Sequence, residues 1–184
     1  PPLCSLLITA FLAIFILQPV GAALTKAIFA LADVLLYKLG FIGAYALSAL
    51  QLPLVSVGLH RAFTPIHTIM NDPNGATHGI NYLLPILQVA GAGQVGAVIA
   101  LFVRAKKNHK KLSEAILASV PAGILGIGEP LMYGVTLPLG KPFLTASLGA
   151  GFGGIMISLF HVGSVAQGVS GILGFLIVNE GGAL

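Results

Sequence analysis

The chain has 184 residues, of which 57% are hydrophobic and only 8% charged, with a formal net charge of +4 and a mean hydropathy of +1.00. A soluble domain carries about 25% charged residues, so this composition excludes an ordinary soluble enzyme and points to a bilayer. The positive balance comes mostly from one short cluster, which bears on membrane orientation and not on nucleic acid.

Leu3 to Leu24 is apolar and long enough for one span of about 33 Å, with Gln18-Pro19 near its far end. It lacks the basic flank and cleavage site of a secretory leader, so it reads as an internal span. Cys4 is the single cysteine and reads as a small hydrophobe, because it has no partner for an internal disulfide. From Ala23 to Leu39 the pattern changes: Lys26, Asp33 and Lys38 interrupt the apolar residues, and Lys26 and Asp33 share a helix face. That spacing suits an amphipathic helix lying in the interface, or one packed with one face wet, better than a simple span. Gly40 to Leu59 predicts a second span, with Gln51-Leu-Pro53 inside it.

His60 to Asn81 is the polar centre of the chain, with His60, Arg61, His67 and the turn-forming Asp72-Pro-Asn-Gly75. Tyr82 to Val103 predicts a third span, where Gly91, Gly93 and Gly96 permit close helix approach and Gln88 and Gln94 can hydrogen-bond. Arg104 to Lys111 holds five fixed positive charges. By the positive-inside rule it faces the cytoplasm. The segments 112–120 and 122–127 are each too short to span, and the Gly128-Glu-Pro130 break that follows predicts a re-entrant hairpin. Phe143 to Phe160 is again apolar, His161 to Gln167 is polar, and Val169 to Val178 reads as half of a further hairpin. The expected fold is therefore an all-α polytopic membrane protein, with transmembrane helices, re-entrant helical hairpins and an interfacial helix.

Glu129 stands out, because it lies among glycines and prolines inside an apolar run. An ionised group at membrane depth marks a functional site, and broken backbone survives there only where it is buried or lines a wet cavity. The side chains with the donors and acceptors a sugar needs are His60, Arg61, His67, Gln94, Glu129, Thr136 and Lys141. Phe63, Tyr133 and Phe143 are able to stack on a ring, although such aromatics are more often core. The bland use of Glu129 is an ion pair with Lys141 or Arg61, and that of His60 an interhelical hydrogen bond. No Cys/His spacing resembles a zinc site and no P-loop is present, so no cofactor is expected. An ion- or proton-coupled secondary transporter would also use broken helices around an intramembrane acid.

The stretch Gly126-Ile-Gly-Glu-Pro-Leu-Met-Tyr-Gly-Val-Thr-Leu-Pro138 resembles the Gly-Ile-Thr-Glu-Pro-x-x-Tyr-Gly-Val-Asn-Leu-Pro signature of enzyme IIC of the sugar phosphotransferase system, glucose superfamily. Gly58-Leu-His60 is similar to its Gly-Leu-His-His segment, and Ala92-Gly-Gln-Val-Gly-Ala97 to its Ala-Gln-Gly-Gly-Ala stretch. The three matches are collinear. Two departures stand out: Arg61 replaces the second His, and Gly128 replaces the Thr before Glu-Pro. This variant looks most like the N-acetylmuramic acid branch.

The resemblance implies a homodimeric permease of the bacterial inner membrane that moves a sugar inward, N-acetylmuramic acid or otherwise another hexose, N-acetylhexosamine or glucoside. A IIB domain then phosphorylates the sugar from a phosphocysteine, recharged through IIA, HPr and enzyme I. It further implies that residues 1–184 are the transport half of a larger membrane-embedded IIC domain, with a scaffold half and a final helix outside this sequence. The family's sugar-site residues carry over to His60 and Glu129 as the pair near the reacting hydroxyl. Cys4 lacks the IIB context and is not the phosphocysteine. An N-acetylmuramic acid carboxylate would call for a cation, for which Arg61, beside His60, and Lys141 are the candidates.

Overall fold

The computed structural model describes residues 2–75, 77–105, 109–168 and 170–179. Part of the basic loop, at Lys106, Lys107 and Asn108, and Val169 of the last apolar run lie outside the described residues.

The first helix runs further than the sequence predicts. Helix α1 (Pro2–Leu12) continues through a π turn at Ala13–Leu17 into α2 (Gln18–Asp33) and a second π turn at Val34–Lys38. Pro19 has no N–H to continue the ladder. The preceding π turn, in which the Gln18 N–H donates to Ala13 O, shifts the register ahead of it and lets the helix pass. The span and the amphipathic stretch are thus one continuous helical rod, with no break at Ala23.

Helix α3 (Phe41–Ser56) is followed by a 3-10 turn (Leu59–Phe63) and the short α4 (Thr64–Met70). Next come α5 (Leu83–Ala105) and α6 (Lys110–Ile124). The chain then breaks and resumes as α7 (Glu129–Leu131), a π turn (Met132–Thr136) and α8 (Leu137–Leu139). Helix α9 (Lys141–Leu159) follows. The last apolar run is not a helical arm: it forms a 3-10 turn (Gly171–Leu176) flanked by β1 (Gly163–Ser164) and β2 (Val178–Asn179), paired antiparallel. With glycines at 168, 171 and 174, this segment resists helix propagation.

Helices α3, α5 and α9 pack as the central trio. A Cβ at Gly154 would collide with Ala44 O and Ser48 Oγ, so α9 lies directly on α3. Three apolar clusters surround this trio. Leu47, Phe63, Ile66, Leu83 and Leu87 form one, and Leu52, Ala90, Met132, Phe143 and Ala146 a second. Val98, Ile116, Leu131 and Val135 form the third. The last cluster joins α6 to the segment after the break, so the two arms of that helix–break–helix pack side by side.

Among the described residues, three helices are long and apolar enough to cross a membrane: Leu3–Ala23, Leu83–Ala105 and Lys141–Leu159. Their outer faces carry large exposed apolar residues, such as Phe11, Ile14, Val103, Leu148 and Phe152. Such a surface belongs in lipid.

Candidate functional site

The site grows out of three interruptions in regular structure. Gly58 adopts φ +79° and ends α3, a conformation open to glycine without a Cβ clash. The 3-10 turn behind it swings His60 inward. The second interruption is at Gly126, with φ +98°, where α6 stops before the chain restarts at Glu129. The third is at Ser170-Gly171, opposite Gly126. Ser170 Oγ donates to Gly126 O at 2.8 Å, and a Cβ at Gly126 would collide with Ser170 O. The two broken segments therefore meet backbone to backbone.

These interruptions and the facing sides of α3 and α5 enclose a cavity of about 190 Å³, with His60, Gln51, Gln88, Gln94, Glu129 and Ser170 among its polar lining. Leu52, Val55, Leu87, Ala90 and Met132 supply apolar wall. Glu129 is the only lining residue with a fixed charge among the described residues. Its side chain is exposed. Gln94 is 1% exposed, and its Nε2 lies 3.4 Å from the buried Thr136 Oγ1. The other face of Gln94 reaches the break, where Oε1 occupies the space above Gly128.

Two polar atoms in the lining are buried without a protein partner among the described residues, Gln51 Oε1 and His60 Nδ1. Buried polar groups in native proteins are almost always satisfied. Both orphans belong to residues that line the cavity.

Of the seven side chains singled out from sequence, the cavity brings together His60, Gln94 and Glu129, with Thr136 behind Gln94. Arg61 and Lys141 are exposed and outside the lining. Neither forms an ion pair with Glu129 among the described residues.

His67 belongs to a different polar node. Asn81, fully buried, caps α5 by accepting the Leu83 and Leu84 N–H groups at 3.1 and 2.9 Å. With that oxygen committed, its Nδ2 faces His67 Nδ1 at 3.1 Å, so Nδ1 accepts and the ring proton sits on Nε2. Burial pushes the His67 imidazole below its ordinary value.

Sequence reading passed over Gln51, Gln88 and Ser170 as site residues. An amide next to Pro53 in an apolar span was the available signal for Gln51; nothing in the sequence marks Ser170. Chemically, the cavity offers a carboxylate, an imidazole and amide groups, which between them can hydrogen-bond the hydroxyl and N–H groups of a polar ligand. No cluster of metal-ligating side chains exists among the described residues.

Comparison with known proteins gives a consistent result. The family model described as "Phosphotransferase system, EIIC" matches residues 2–151. A "PTS system MurNAc-GlcNAc-specific EIIBC component" of Staphylococcus haemolyticus is 48% identical over 172 residues, covering 93% of this chain and 35% of that protein. Proteins of the same name from Staphylococcus aureus strains USA300 and NCTC 8325 are 46% identical over 172 residues, covering 93% of this chain and 34% of theirs. The chain thus spans about a third of the length of these relatives. No solved structure matches.

Proposed function

We propose, for a chain that belongs to the phosphotransferase system EIIC family, that the cavity is the sugar site of a phosphoenolpyruvate-dependent permease. One observation carries this reading: His60, Gln94 and Glu129 come from three separate stretches of sequence and line one cavity. Each stretch holds one of the family-like motifs.

The sugar is one containing N-acetylmuramic acid. This is supported by the relatives' names, which specify MurNAc-GlcNAc, and by the His60-Arg61 and Gly128 variants of the motifs. Glu129 accepts hydrogen bonds from sugar hydroxyls, and His60 holds the hydroxyl that reacts. A IIB domain presents a phosphocysteine from the cytoplasmic side. The hydroxyl oxygen attacks phosphorus, the P–S bond breaks, and the thiolate leaves. The hydroxyl proton passes to Glu129 or His60, whose placement beside the oxygen is what general base catalysis requires. Arg61, outside the lining but adjacent to His60, supplies a cation at the mouth for the lactyl carboxylate, and Lys141 is the alternative.

Several broader features belong to the same reading. The helix–break–helix at Gly126 and the turn at Ser170 are the tips of re-entrant segments, supported by their short flanking helices and their contact at the cavity. Residues 1–184 form the transport part of a longer IIC domain, supported by the greater length of the relatives, and that domain dimerises in a bacterial inner membrane. IIA, HPr and enzyme I recharge IIB.

The test is uptake by membrane vesicles carrying the full-length protein. Accumulation driven by phosphoenolpyruvate, lost without IIB and retained with an uncoupler, supports the permease. Accumulation that collapses with the uncoupler and ignores IIB identifies a proton-coupled transporter instead.

A further inference from the structure

Glu129 follows a break in regular structure, and a hydroxyl from a distant segment holds that break. Helix α6 closes at Gly126, whose φ is +98°, with the Ile127 N–H donating back to Ala122 O at 2.9 Å. The carbonyl of Gly126 lies beyond this closure. Among the described residues no backbone N–H donates to it. Its donor is Ser170 Oγ, at 2.8 Å and 44 residues away in sequence. Only Ile127 and Gly128 separate Gly126 from Glu129.

The Ser170 side of this contact is tied to α5. The Asn81 N–H, just ahead of α5, donates to Ser164 O at 2.8 Å, and the Ser164 N–H donates to Asn81 O at 3.0 Å. Further along α5, Gln88 Nε2 donates to Gly168 O at 3.0 Å. The turn also fits closely against the break: Gly171 has φ +71°, and a Cβ there would collide with Ile124 O and Gly126 N. On the other side of the break, Gln94 Oε1 of α5 occupies the space above Gly128. The stretch that leads into Glu129 is therefore held from both sides by groups anchored on α5.

We infer that Ser170 is a positioning residue for Glu129: by holding Gly126 O against the anchored turn, its hydroxyl sets where the helix restarts and so where the carboxylate stands. This rests on the permease reading and extends it. Two other roles for the hydroxyl make different predictions. A bond that serves only stability changes the amount of folded protein and not the turnover of each folded molecule. A direct contact with the sugar, which the place of Ser170 in the lining would permit, acts independently of Glu129. A positioning residue acts through Glu129.

The test is phosphoenolpyruvate-dependent phosphorylation of N-acetylmuramic acid by membranes carrying the full-length protein, with IIB supplied and rates expressed per folded molecule. Ser170→Ala removes the donor and frees the break, and kcat/KM should fall about tenfold. In a Glu129→Gln background the same change should cost about twofold or less, because most of what misplacement can remove has already gone. Ser170→Thr keeps the hydroxyl. The backbone at Ser170 is extended, with φ −84° and ψ −170°, which suits a β-branched residue, so this variant should recover the activity to within about twofold of native.

Full turnover per folded molecule in Ser170→Ala makes the bond structural and overturns the inference. So does a tenfold loss that persists undiminished in the Glu129→Gln background, which is the mark of a separate contact with the sugar. Ser170→Thr as impaired as Ser170→Ala overturns it too. If the native protein phosphorylates no sugar, the permease reading falls and the inference with it. Native activity with an indifferent Ser170 removes this inference alone.

Discussion

Gln94 Oε1 stands where a side chain at Gly128 would be: a Cβ built on Gly128 would lie 2.9 Å from it. The residue before Glu129 and an amide of α5 are thus fitted to each other across the cavity wall. Gly128 matters here through the room it leaves and not through an unusual dihedral, since its φ is −81°. Gln94 is held from behind by Thr136, so its oxygen is presented to the cavity from a fixed base.

It follows that Gly128→Ala should separate folding from binding. The group in the way is the far end of a flexible side chain, so Gln94 can swing aside and the protein should fold. The displaced amide can no longer present its oxygen, and sugar affinity should fall about fivefold, the equivalent of one neutral hydrogen bond. Binding measured alongside the melting midpoint checks this. A large drop in midpoint with intact affinity per folded molecule would show that Gly128 serves packing only.

Arg61 tests how a carboxylate is recognised outside the cavity. Arg61→His should weaken N-acetylmuramic acid at least about tenfold, because it removes a charge-assisted hydrogen bond, and leave N-acetylglucosamine little changed. Competition assays with both sugars on the full-length protein give the answer. Equal losses would assign Arg61 a steadying role without carboxylate contact.

How much of this was legible in the sequence varies from residue to residue, for physical reasons. Glu129 and the Gly/Pro break around it announced themselves, because an acid and broken backbone are both unfavourable in apolar surroundings. The spans around α5 and α9 were also legible from unbroken hydropathy. The continuity of the first helix was not: Gln18-Pro19 looked like an end, and only the π turn at Ala13–Leu17 shows how the proline is passed. Arg61 lies outside the lining for another local reason. Neighbours in a 3-10 turn point about 120° apart, so His60 lines the cavity while Arg61 stays outside it. Gln51 and Ser170 escaped notice because their places depend on the fold: Gln51 lines the same cavity as His60, and Ser170 meets Gly126.

The polar node at His67 predicts a dependence on pH. Burial holds its folded pKa below the ordinary 6.5. Between those two values the unfolded chain binds a proton that the folded protein does not, so stability is full above about pH 6.5 and falls as pH drops through the lowered value. A protonated ring would also turn an Nδ1–H toward the Asn81 amide that caps α5. The native protein in detergent should therefore melt earlier at pH 5 than at pH 7.5, and His67→Gln should show a smaller difference. Identical pH shifts in both proteins would place the sensitive group elsewhere.

The central claim is that Glu129, at the restart after the break, holds the sugar for phosphorylation. It is tested most directly by phosphoenolpyruvate-dependent phosphorylation of N-acetylmuramic acid in membranes carrying the full-length protein, with IIB supplied. Glu129→Gln keeps the shape of the side chain and removes its charge. The account predicts normal amounts of folded protein and a loss of about 10- to 100-fold in phosphorylation, the range of one charged hydrogen bond. Near-native phosphorylation by Glu129→Gln would contradict it.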